Sequence, residues 1–179
     1  MGRTEIYIVR KNRKCWELYK EISQAMCGAF KFWMYLEKKY LPPLSGLDGV
    51  LQISRLACFS DDGKQQEIWD LWKDIRLNRH ERLVLLSTFD YNYLPFEAIP
   101  QMVEAMRAVH LLMGENSNFG RQADALERLY NDRNDVHAVA FNATSVTSYT
   151  DVMGKTFDKE SLDDMWEAFL SVEQTIKEE

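Results

Sequence analysis

Two polar clusters offer the types of residue from which a reaction centre is made. The first is Asp90-Tyr91-Asn92-Tyr93, a carboxylate and two phenols within four positions. The second is Asn142-Ala-Thr144-Ser145, which opens the most polar uncharged segment of the chain. An enzyme built on them would use Asp90 as an acid or base beside a hydroxyl near Ser145, which requires the two to meet within hydrogen-bond reach. Ser145 lacks the Gly-x-Ser-x-Gly surroundings of a hydrolase elbow. Local chemistry explains the same residues with less effort, because Asp, Asn and Thr side chains bond nearby backbone in turns and tyrosine covers a rim.

Other reactive types are scattered. Cys15, Cys27 and Cys58 are odd in number and widely spaced, which argues for reduced thiols and against a disulfide framework. His80, His110 and His137 share no local ligand spacing, so the sequence implies no metal and no cofactor. Gly120 is solitary, without the glycines or the lysine-serine ending of a phosphate loop.

These groups must be held by the elements around them. Thr4–Arg10 and Cys15–Ile22 read as a hairpin joined by a basic link containing Lys11, Arg13 and Lys14. From Ser23 to Tyr40 the period becomes helical through Ile22, Met26, Ala29, Trp33, Leu36 and Tyr40, with Cys27, Phe30 and Met34 widening the apolar face. A second helix is expected from Ser60 or Asp61 to Ile75, burying Ile68, Leu71, Trp72 and Ile75. Arg82 to Asp90 reads as a central strand, because Leu83 to Leu86 would be apolar on both faces. Pro100 to Met113 reads as a covering helix with Met102, Ala105, Met106, Val109, Leu112 and Met113 inward. A further helix over 121–131 and a strand over 136–141 follow. The last helix opens with a capping box at Ser161 and Asp164 and packs Leu162, Met165, Trp166, Phe169, Leu170 and Ile176.

The resulting fold class is α+β: a small mixed or antiparallel sheet that begins with the N-terminal hairpin, covered by about five helices. A chain of 179 residues with 46% hydrophobic content fits one domain, with a small helical insertion around 44–78 as a variant of that organisation. A doubly wound nucleotide fold is disfavoured, since it needs more alternation and a glycine-rich first turn. No apolar run approaches twenty residues, and the N-terminal residues do not form a signal peptide, so the expectation is a cytoplasmic protein away from membranes.

Charge sharpens the functional reading. The net charge is −6, and residues 1–100 carry 15 basic against 13 acidic side chains while residues 101–179 carry 7 against 15. The leading expectation is a non-enzymatic protein-binding module whose partner presents a basic face. A concrete version is an acidic inhibitor of a nucleic-acid-processing protein, of the type used in counter-defence by phages and mobile elements. The contact residues expected are Trp69, Asp90, Tyr91, Tyr93, Asn142, Thr144 and Ser145, with the acidic group Asp163, Asp164 and Glu167. The alternatives are the small hydrolase-like enzyme at Asp90 and Ser145, and a homo-oligomeric assembly protein seamed by Trp69 and the final helix. Direct nucleic-acid binding by the basic link is disfavoured, since no recognition-helix or aromatic-sheet pattern accompanies it.

Overall fold

The computed structural model describes residues 3–12, 15–25, 27–45, 52–56, 64–88, 92–114, 117–133 and 135–142. The N-terminal hairpin is formed by β1 (Arg3–Asn12) and β2 (Cys15–Ala25), paired antiparallel with a register shift between Ile6 and Tyr7. After α1 (Cys27–Tyr40) come a two-residue strand pair, β3 (Leu44–Ser45) with β4 (Gln52–Ile53), and the short α2 (Lys64–Trp69). A 3-10 turn at Asp70–Lys73 leads toward α3 (Arg79–Leu86). Strand β5 (Asn92–Pro95), helices α4 (Ile99–Met113) and α5 (Phe119–Asp132), and strand β6 (Ala138–Asn142) complete the described chain. The main sheet is antiparallel throughout, in the order β2-β1-β6-β5. The α+β class and the opening hairpin therefore stand, and five α-helices lie among the described residues.

Where a central strand was expected over 82–90, the described residues form α3 and then a turn at Ser87 and Thr88. Leu83, Val84, Leu85 and Leu86 are all essentially inaccessible, as foreseen, but they are inaccessible around a helix. A short run apolar on all sides fits a buried strand or a helix enclosed by its neighbours, so periodicity does not separate them. The capping box decides the matter. Asn78 accepts a hydrogen bond from the Glu81 backbone N–H, and the Glu81 carboxylate accepts from the Asn78 backbone N–H. That reciprocal pair satisfies two donors that a helix start otherwise leaves without partners.

Other boundaries also shift. Strand β2 continues to Ala25, so Ile22 belongs to the hairpin and not to the stripe of α1. The second helix ends at Trp69, and after the 3-10 turn Ile75 is 70% exposed where burial was expected. On α4, Met102, Ala105, Met106 and Val109 are buried, but Leu112 is 52% exposed because its position rotates it off that stripe. Gly114 ends the helix at φ 74°, a left-handed conformation that glycine adopts without a Cβ penalty.

One core joins the helices to the sheet. Phe32 and Trp33 of α1 meet Phe119 of α5 and Trp69 of α2 edge-to-face, at ring separations of 5.6 and 6.3 Å. The Trp33 indole N–H donates to Thr88 Oγ1 at 2.8 Å, which satisfies a buried donor. Replacing Asn78 with Ala removes one half of the cap while leaving the buried run of α3 unchanged. We expect a loss of about 1 kcal/mol in urea unfolding, and an unchanged midpoint would show that the cap does not secure α3.

Candidate functional site

The densest polar constellation surrounds Glu81, whose side chain is wholly inaccessible. Helix α1 supplies its partners: Tyr35 and Lys39, four apart, share a side of the helix, and Tyr40 reaches in from its last residue. Glu81 Oε1 accepts from Tyr35 Oη at 2.9 Å and Lys39 Nζ at 2.8 Å. Its Oε2 accepts from Tyr40 Oη at 2.6 Å and the Asn78 backbone N–H at 3.1 Å. Burial alone would raise the Glu81 pKa, but the donors from Lys39, Tyr40, Asn78 and Tyr35 outweigh it and hold the group below the ordinary carboxylate range. Burial likewise opposes the Lys39 ammonium, yet its bonds to Glu81, Tyr35 and Tyr40 raise its pKa. Burial comes first for both phenols as well, with Glu81 adding to it, and both are pushed up.

With four donors on two oxygens, this carboxylate is engaged on both sides and does not present the open acceptor that a general base requires. Its chemistry is that of a clamp between α1 and α3.

A second cluster fixes the segment after α1. Arg55, 2% exposed, donates through Nε to Glu67 Oε2 at 2.8 Å and through Nη1 to the Pro42 carbonyl at 3.0 Å. Glu37 accepts from the Arg55 backbone N–H and from Ser54 Oγ, each at 2.7 Å. The Arg55 hydrogen bond is the leading cause that lowers the Glu67 pKa. Around this knot lies an open cleft of about 370 Å³ whose apolar lining is Met34, Leu41, Pro42, Pro43 and Leu44. The cleft continues along the outer side of α1, where Phe30 and Met34 are 39% and 46% exposed and one helical turn apart. The sequence reading placed these two on a widened inner face. The structure corrects that, since α1 directs Ala29, Phe32, Trp33 and Leu36 into the core. Lys31 and Lys38 are exposed beside the stripe.

A trough of about 440 Å³ between α4 and α5 is lined by Ile99, Val103, Arg107 and Tyr130, among others. Arg107 spans the two helices through Glu127 at 2.7 Å and Asp124 at 3.2 Å, so its charge is opposed by two carboxylates. Tyr130 is 38% exposed and stacks on Phe96 at 4.9 Å. His110 Nδ1 lies 2.7 Å from Ser117 Oγ, but Ser117 is 4% exposed and the imidazole abuts Gly120, where an added Cβ would come within 2.9 Å of the ring. That geometry closes the turn between α4 and α5. Among the described residues no group of three or more His, Cys, Asp or Glu is arranged to hold a metal ion, and no described helix is long and apolar enough to cross a membrane.

Of the contact residues expected from sequence, Trp69 is partly buried against Trp33. Tyr93 and Asn142 have backbone positions in β5 and β6. Asp90, Tyr91, Thr144, Ser145, Asp163, Asp164 and Glu167 lie outside the described residues, as does Cys58. The enzyme reading needed parallel strands to bring its clusters to one edge. The pairing is antiparallel, and Asp90 precedes a strand where it was expected to end one. Asn92 pairs with Phe141, so the entrance of β5 and the exit of β6 share one end of the sheet by a different route. Sequence reasoning missed Glu81 and Arg55. Asn78-x-x-Glu81 was the available signal for the first, whereas no local spacing announces the partners of Arg55. No family model, curated protein or solved structure matches the chain.

Glu81 generates a pH signature. Because its folded pKa lies below the unfolded value of about 4.3, its stabilisation is present above that value and is lost as pH falls through the folded one. Glu81→Gln should cost about 2 kcal/mol at pH 7, with the ion-pair share reduced because Lys39 is 42% exposed. The urea midpoint of the wild type should therefore fall more between pH 7 and pH 3 than that of the variant. Equal falls would assign the acid sensitivity to other carboxylates.

Proposed function

We propose that this chain acts as a protein-binding module, with the outer side of α1 as its contact surface. The observation that carries the reading is the exposed pair Phe30 and Met34 running into the cleft of Leu41, Pro42, Pro43 and Leu44. The floor of that cleft is held in advance by Arg55, Glu37 and Ser54, so a partner would bind without ordering it. Apolar residues one turn apart beside a groove are the arrangement by which a surface takes an amphipathic helix. Lys31 and Lys38 flank the stripe and favour acidic groups on the incoming segment.

The polar clusters support binding over catalysis in this reading, because Glu81, Arg55 and Arg107 are engaged by neighbours in the fold. Inhibition of a partner through a basic face is a separate reading that would rest on Asp163, Asp164 and Glu167, which lie outside the described residues.

The double substitution Phe30→Glu with Met34→Glu tests the surface in the full chain. Both positions are exposed, so the urea midpoint should stay within about 0.5 kcal/mol of wild type. Affinity capture from the source cells should yield a protein held by the wild type and retained at least about tenfold less by the variant, the ratio that corresponds to about 1.4 kcal/mol. Equal retention by the two proteins, or no protein retained by the wild type, counts against the assignment.

A further inference from the structure

Helix α4 carries a projection and a recess along one line. Pro100, Glu104, Arg107 and Leu111 follow at intervals of four, three and four residues, so they share a side of the helix, with Ala108 beside them. At the C-terminal end of that line Leu111 is 83% exposed, the most of any large apolar side chain among the described residues. A solitary exposed leucine needs no explanation. This one shares its line with the trough of about 440 Å³ between α4 and α5, which Pro100, Glu104 and Arg107 border at the other end. The trough lining includes Ile99 and Val103, both buried, and the part-exposed ring of Tyr130, which its stack on Phe96 braces.

Within one chain the two features cannot meet. Glu104 and Leu111 are seven residues apart, about 10 Å along the helix axis, and both belong to the same rigid element. A second copy laid antiparallel resolves this. A two-fold axis passing between Arg107 and Ala108 sets Arg107 beside Ala108 of the second copy and Leu111 beside its Glu104, so both leucines reach a trough at once. Ala108 is small and lies at the centre of that contact, which lets the two helices approach closely. The charges on the line do not obstruct the approach. Arg107 is held by Glu127 and Asp124 of its own chain, and Glu104 stands 3.6 Å from Arg79, so closing the seam strands no ion without a partner.

We infer that the α4–α5 face joins two copies of this chain as an antiparallel two-fold pair in which each Leu111 enters the trough of the other. The face sets the strength of the pair. Two helices side by side are about 20 Å wide, and the fifteen residues of α4 are about 22 Å long, so the seam covers on the order of 400 Å² of each copy, less than a standard stable interface covers. Association through it is therefore reversible and depends on concentration. The inference does not rest on the α1 surface, whose stripe of Phe30 and Met34 takes no part in the seam.

Sedimentation velocity of the full chain, from micromolar to millimolar protein, should show monomer giving way to dimer. Leu111→Glu should weaken that association by at least about 100-fold, because each dimer loses two buried leucines. Position 111 is open to solvent, so the variant keeps its fold. Register is tested by oxidising Glu104→Cys and Leu111→Cys chains, separately and mixed. The two-fold places position 104 of one copy near position 111 of the other and like positions apart, so the mixture should form disulfide-linked dimers well above the level of either variant alone, which should match the background from Cys15, Cys27 and Cys58 in the wild type. A monomer at every concentration, a dimer untouched by Leu111→Glu, or a mixture that links no better than its components would each overturn the inference. Phe30→Glu with Met34→Glu should leave the association constant unchanged. Loss of the dimer in that variant would move the seam to α1 and overturn the inference as well, whereas loss of partner capture alone bears only on the binding reading.

Discussion

A carboxylate with no access to water must be compensated where it lies, and the way Glu81 is compensated sets the relation between the two helices at the centre of this protein. Its charge cannot be left among Leu83, Leu85 and the neighbouring core at a tolerable cost. Three side chains of α1 and one backbone N–H of its own helix start supply the donors. That demand fixes α1 in rotation and in translation against α3, since Tyr35 and Lys39 reach the carboxylate from one side of the helix and Tyr40 from its C-terminal end. Once α1 is so rotated, Trp33 enters the core and reaches Thr88, and Phe30 and Met34 are turned outward. The exposed stripe is thus a geometric consequence of the clamp.

The same rotation decides where the chain can go after α1. Tyr40 stands at the end of the helix, and Pro42 and Pro43 prevent its continuation. The chain must therefore turn over the surface, where Arg55 gathers the Pro42 carbonyl, Glu37 and Glu67 into one knot. An arginine suits this position because its planar fork can serve three acceptors in different directions while remaining charged. Apolar residues flank that knot without entering the core. A groove that is rigid beneath and apolar at its walls follows from these two constraints, and the protein-binding proposal draws on that property.

Much of the fold could be read from residue spacing, and the failures have a common cause. Helices α4 and α5 emerged because each has one buried and one solvated side, so its period is written in the sequence, and the hairpin emerged from two β-prone runs joined by a polar link. Leu83 to Leu86 carried no such contrast. Enclosure on every side erases the period, leaving only Asn78 and Glu81 at the boundary to indicate a helix. The stripe of α1 was misassigned for the opposite reason: Phe30 and Met34 are apolar but exposed, and a pattern of hydrophobicity cannot say that a large apolar side chain faces out. Glu81 itself read as an ordinary charged residue before a strand, because its partners lie more than forty positions away. Clusters made by tertiary contact leave no local spacing, whereas Asp90 to Tyr93 and Asn142 to Ser145 attracted notice because their polar residues are consecutive.

Charge gives the last step of synthesis. A split between residues 1–100 and 101–179 makes the chain look two-ended, but α4 and α5 carry paired charges such as Arg107 with Asp124 and Glu127. Arg10 of β1 likewise meets Asp135 at 2.9 Å, across the chain from hairpin to the approach of β6. Asp135 is held at about 2, chiefly by its hydrogen bond from Arg133. Residues 1–142 hold nineteen basic against nineteen acidic side chains, so the net charge of −6 belongs to 143–179, and ion pairs such as these set opposite charges against each other within the fold. A net charge read over the whole chain thus describes its last 37 residues and not the paired charges of the described fold.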